Sequence, residues 1–153
     1  MIYADSSFTA SLYALDDNTA CANEIYQADR RRPLFFTAWQ ELELLNTLRL
    51  GIHRARRAKN LPRYTVGNCR KRIAEDLRNG ILCRAEPNWP LSVRRANELS
   101  ENYSEKFGVV MLDVWQVACA IELRAEAFWT FDRDQKILAE ATGHFKSVVG
   151  LED

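Results

Sequence analysis

Five short apolar runs, "MIYA", "LFF", "ILCRA", "FWTF" and "HFKSVV", are spread along the chain, with segments between them in which apolar residues return every three or four positions. No other feature limits the fold as tightly. Short runs rich in aromatic and β-branched side chains read as buried strands, and longer segments at helical spacing read as amphipathic helices. Strands that alternate with helices in this way predict a mostly parallel central sheet with helices on both faces, an α/β fold of three layers. The chain of 153 residues, 47% of them hydrophobic, is long enough to bury such a core as a single domain over residues 1–153 without disulfides.

The helices have readable ends. "SFTASLYAL" opens a helix or turn after the first run, and "NTACANEIYQADRRR" makes a second helix that stops before Pro33. Thr37 and Gln40 have capping-box spacing and open "AWQELELLNTLRLGIHRARRA", where Ala38, Leu42, Leu45 and Ile52 are expected on the buried face. A further helix runs from about Val66 to Arg78 and stops at Gly80, and "PLSVRRANELSENYSEKF" ends at Gly108. Another spans 113–124, opening at Asp113, and the last follows "FWTF" and stops at Gly143. Trp39 and Trp129 fall in apolar elements and are expected in the core.

Cys21, Cys69, Cys83 and Cys119 are scattered without a C-x-x-C pair, which predicts free thiols and a reducing, cytoplasmic setting. The start of the chain lacks a positive region and carries Asp5 within its apolar stretch, and no segment approaches a membrane span, so neither export nor membrane insertion is expected. Basic and acidic residues balance at 21 each, but from Arg49 to Arg72 there are nine Lys or Arg and no Asp or Glu. Such a stretch on an otherwise acidic body suits phosphate binding, with Arg54, Arg56 and Arg57 as its densest part, although a solvated helix face has the same composition.

Acidic residues fall where strands end and helices begin. Asp5 closes the first run, Asp132 follows the fourth, and Asp113 opens a helix. Glu41 and Glu43 flank the expected apolar stripe of the helix after the second strand, and geometry alone does not choose between them. A helix N-cap accounts for Asp132 taken singly. Several acids at such places point instead to the crevice at the carboxyl ends of a parallel sheet. Clustered carboxylates need a compensating cation. With two histidines and no cysteine pair, the site is all oxygen, which suits Mg²⁺ or Mn²⁺ and phosphodiester hydrolysis.

Four stretches, "MIYADSS", "ELLNTLRL", "GVVMLDVWQVACAIEL" and "FWTFDRDQKILAEATG", together resemble the PIN-domain ribonucleases, and within them the VapC-like toxins of type II toxin–antitoxin pairs. The family motif of Glu, two residues and N-x-L falls on Glu43 rather than Glu41. The resemblance implies that Asp5, Glu43, Asp113 and Asp132 surround Mg²⁺ or Mn²⁺ for RNA cleavage, with Thr130 and Asn46 in support. It also implies a homodimeric toxin held in check by an antitoxin protein. Two positions depart from the pattern: Gln116 stands where relatives often have His, and Asp134, a possible fifth and peripheral carboxylate, where a basic residue is common.

Two other readings compete. A PIN domain that only binds RNA would not need all four acids. A phosphoacceptor receiver also gathers acids at strand ends, but it needs a lysine after its fifth strand, whereas Lys146 is expected within that strand.

Overall fold

The computed structural model describes residues 1–29 and 32–150. Its strands are β1 (Ile2–Ala4), β2 (Leu34–Phe36), β3 (Leu82–Arg84), β4 (Ala127–Trp129) and β5 (Ser147–Val149). Its helices are α1 (Ser6–Ala14), α2 (Thr19–Ala28), α3 (Ala38–Arg57), α4 (Val66–Arg78), α5 (Trp89–Phe107), α6 (Met111–Glu122) and α7 (Arg133–Thr142). The five strands form one sheet in the order β3-β2-β1-β4-β5, which is the expected α/β class. The chain winds one way from β1 to β3 and the other way from β4 to β5. That reversal makes the β1–β4 junction the topological switch point. Arg30 and Arg31, at the end of the stretch predicted as the second helix, lie outside the described residues.

The chain divides into two compact units, Met1–Asp5 with Ala85–Asp153, and Ser6–Arg84. In the first, β4 pairs in parallel with β1 and β5, setting Tyr3 opposite Phe128 and Phe128 opposite Val148. Every residue of β1 and β4 is buried, as central parallel strands require. Tyr3 stacks on Phe128 with ring centroids 5.6 Å apart, and Phe145 packs against Phe128 at 5.3 Å. Helix α6 packs on α5 and α7, contributing Val114, Val117 and Ala118 to the core.

In the second unit β2 pairs in parallel with β3, and α1 packs on α2, α3 and α4. The Tyr13 hydroxyl donates to Asp76 Oδ2 at 2.6 Å, tying α1 to α4, while Arg72 lies over the Tyr13 ring and donates to Leu12 O. Burial, reinforced by the Asp76 carboxylate, pushes the Tyr13 hydroxyl far above the usual phenol range, so it stays a donor. The four cysteines are free thiols, as expected, and burial pushes Cys119 up to about 12.

Several boundaries differ from the sequence reading. The fourth strand is Ala127–Trp129, so Thr130 and Phe131 lie beyond it. The Thr130 hydroxyl accepts the Asp132 N–H at 2.9 Å, a local turn that competes with further extension. Helix α6 begins at Met111, two residues before Asp113, with the Val110 carbonyl rather than a side chain receiving the N–H groups of Asp113 and Val114. The fifth strand begins at Ser147, which leaves Lys146 before it, paired with Glu126 at 3.1 Å.

The largest correction concerns α3. Its buried side chains are Gln40, Leu44, Leu45 and Leu48, whereas Leu42 is 62% exposed and Ala38 is exposed. The capping box lies on the buried face. Thr37 Oγ1 accepts the Gln40 N–H at 3.0 Å, Gln40 Oε1 accepts the Thr37 N–H at 2.8 Å, and the buried Gln40 starts a stripe that continues through Leu44 and Leu48. Trp129 is core as expected, while Trp39 is half-buried.

Candidate active site

Asp5 is the residue after β1, and its N–H donates to Trp129 O at 2.9 Å, extending the β1–β4 ladder by one step. Its side chain is only 2% exposed. A carboxylate so buried needs donors, and the Thr130 hydroxyl supplies one to Asp5 Oδ2 at 2.8 Å. The same hydroxyl accepts the Asp132 N–H, so Thr130 couples the end of β1 to the start of α7. Asp132 is the N-cap of α7, where its Oδ1 accepts the Gln135 N–H at 2.9 Å. The cap engages one carboxylate oxygen of an exposed side chain, so capping and a second role are compatible.

Asp113 joins through Gln135. It stands in the first turn of α6, half-buried, and Gln135 Nε2 lies 3.5 Å from its Oδ1, a long contact. Helix α6 is in turn anchored to β1 by the Tyr3 hydroxyl, which donates to Gln116 Oε1 at 2.6 Å within the buried core. Asp5, Thr130, Asp132, Gln135 and Asp113 thus form one hydrogen-bonded chain at the switch point of the sheet.

Glu43 and Asn46 belong to the second unit. Glu43 is half-buried on α3 and Asn46 is exposed, with the buried stripe rotated from where the sequence placed it. Glu41, also half-buried, pairs with Arg84 at 2.7 Å. Asp134 is exposed in the first turn of α7, where a negative charge complements the helix dipole. Arg54, Arg56 and Arg57 are exposed in the last turn of α3, where cations have the matching effect. Arg54 also lines a cleft of about 380 Å³ in that unit, together with Asp16, Asp17 and Arg63.

Sequence reasoning missed three residues. Gln135 carried a signal, since Asp132 and Gln135 have the same cap spacing as Thr37 and Gln40. Arg133 and Lys136 line a cleft of about 140 Å³ with Thr130, Asp132 and Glu140; their proximity to Asp132 in "DRDQK" was the available clue.

Among the described residues no three acidic, histidine or cysteine side chains already close around one point. Thr130 and Gln135 act as spacers between the acids. An open, all-oxygen set of this kind fits a hard cation such as Mg²⁺, which keeps several of its waters and takes one or two carboxylates directly. A scan of protein-family models gives no match for the chain, and a search of curated proteins gives no significant match. Among the described residues no helix is long and apolar enough to cross a membrane.

Proposed function

We propose that this chain is a Mg²⁺- or Mn²⁺-dependent endoribonuclease, the toxin of a toxin–antitoxin pair, acting in the cytoplasm as a homodimer until an antitoxin protein binds it. The observation that carries the nuclease reading is the buried Asp5 carboxylate, linked through Thr130 to Asp132 and through Gln135 to Asp113 where β1 and β4 end. A divalent cation bound there supplies a water of lowered pKa and neutralises charge on the phosphoryl group under attack. In this reading Asp5, Asp113 and Asp132 would hold it, with Glu43 as the fourth, and Thr130, which donates to Asp5 Oδ2, would orient Asp5. Arg133 and Lys136, in the cleft beside Asp132, offer positive charge to an RNA phosphate, and the exposed Arg54, Arg56 and Arg57 offer more along the backbone. The toxin role, the antitoxin and the dimer rest on the family resemblance alone.

Lys146 weakens the receiver alternative, because it precedes β5 and pairs with Glu126, whereas a receiver holds its phosphoryl group with a lysine after that strand.

Cleavage of RNA with Mn²⁺ or Mg²⁺, and its loss with EDTA, tests the proposal. Asp5→Asn, Glu43→Gln, Asp113→Asn and Asp132→Asn are each expected to abolish cleavage, and Glu41→Gln to leave it. A dead Glu41→Gln beside an active Glu43→Gln would reassign the fourth acid. Full activity in Asp5→Asn would remove the nuclease reading.

A further inference from the structure

Gln135 stands in the first turn of α7 and is 3% exposed. Its backbone N–H serves Asp132 and its amide nitrogen faces Asp113, yet its carbonyl oxygen Oε1 is buried with no hydrogen-bond partner among the described residues. A buried acceptor left without a donor is costly, and few folded proteins carry many. Turning the amide over gives no relief: Oε1 would then face Asp113 Oδ1, acceptor against acceptor, and Nε2 would lose its partner. The donor is not a side chain or backbone group of the described residues, and a bound water can supply it. Ionised carboxylates accept only, so Asp113 and Asp132 cannot provide it. Water around a hard cation does donate, and polar groups beyond the direct ligands hold such waters in place.

We propose that Gln135 is a positioning residue of the carboxylate site: its two nitrogens set Asp132 and Asp113, and Oε1 accepts from a water in the hydration shell of the bound cation. The inference rests on the metal reading proposed above and goes beyond it by assigning a task to a side chain that holds no charge. The Gln135 amide does not close back on its own cap. The Asp132 N–H is already taken by Thr130, which leaves the side chain available to reach across to α6.

The test is Mn²⁺ binding to the full chain, read from the paramagnetic resonance of the free ion and from melting temperature with Mn²⁺ and with EDTA. Gln135→Leu keeps the backbone N–H that Asp132 needs and loses the amide. Its melting temperature in EDTA is expected to match or exceed that of the parent, and its Mn²⁺ affinity to fall by about 10- to 100-fold, the usual cost of losing a residue that orients metal ligands. Gln135→Met serves as the second variant and is expected to give the same loss, so the test survives poor packing of Leu. Gln135→Glu keeps acceptor oxygens while adding a like charge beside Asp113. It is expected to melt lower in EDTA and to retain Mn²⁺ affinity at or above that of the parent. Parent-like Mn²⁺ binding by Gln135→Leu and Gln135→Met would overturn the role of Gln135 and leave the metal site standing. A Gln135→Glu affinity as weak as that of Gln135→Leu would overturn the acceptor assignment. Absence of saturable Mn²⁺ binding in the parent would overturn this inference together with the metal reading.

Discussion

The N-termini of α3 and α7 begin with the same spacing, Thr37 with Gln40 and Asp132 with Gln135, and end as different devices. In α3 the glutamine amide turns back and accepts the cap residue's N–H at 2.8 Å, so every group of the box is satisfied within four residues. In α7 the corresponding N–H goes to the Thr130 hydroxyl, and the glutamine reaches Asp113, 22 residues away in sequence. One box is closed and finishes a helix. The other is open, and the freed side chain enters the acid network. A single hydroxyl placed two residues ahead of the cap decides which outcome occurs.

Removing that hydroxyl is expected to have the largest effect. Thr130→Val takes a donor from Asp5 and an acceptor from the Asp132 N–H, and is expected to destabilise by about 2–4 kcal/mol, two lost partners at about 1–2 kcal/mol each, in urea unfolding. Gln40→Leu strands the buried Thr37 N–H in the closed box and is expected to cost about 1–3 kcal/mol in the same assay. Gln135→Leu strands nothing of that kind and is expected to be near neutral without metal, so equal losses at the two glutamines would erase the distinction. The caps themselves come next. Asp132→Ala should lose about 0.5–2 kcal/mol while Asp132→Asn stays within a few tenths of the parent, because Asn caps as well as Asp.

The smallest effect belongs to Glu126, a carboxylate that is neither cap nor site. Hydrogen bonds from Lys146 and from the Met1 ammonium hold its carboxyl below the usual carboxylate range. A depressed folded-state pKa adds stability above the unfolded-state value, and that contribution is lost as pH falls through the folded-state value. The group is fully exposed, so salt should nearly abolish the effect; proton titration of Glu126 by NMR at low and high salt checks both statements.

Local features of the fold were legible. Gly80, Gly108 and Gly143 were readable as helix stops, and each has a φ between 64° and 72°, which residues with a side chain adopt at a cost. The Thr37 and Gln40 box was visible for the same reason, since all its partners are near in sequence. The rotation of α3 was not, because Leu42 and Leu44 are equally apolar and the buried face includes Gln40, a polar residue. The start of α6 was hidden because Val110 caps with its carbonyl and leaves no side-chain signal. At the candidate site, the positions of Asp5 and Asp132 beyond β1 and β4 followed from the strand pattern. The Gln135 link to Asp113 did not, since the contact joins two helices through an amide that ordinary cap spacing would turn inward.

The division of the chain has a consequence in time. Ser6–Arg84 is one continuous stretch, whereas the unit that carries Asp5 is assembled from two stretches, with Thr130 reaching Asp5 across 125 residues. A ribosome adding about 5–20 residues per second therefore releases Asp5 many seconds before its partner exists. Until β4 is made, Ile2–Ala4 has no β4 edge to pair with, and the chain from Asp5 to Asp113 and Asp132 cannot close. The acid network is completed in the final third of synthesis, so a chain stopped just short of Thr130 has Asp5 and Asp113 and none of the links between them.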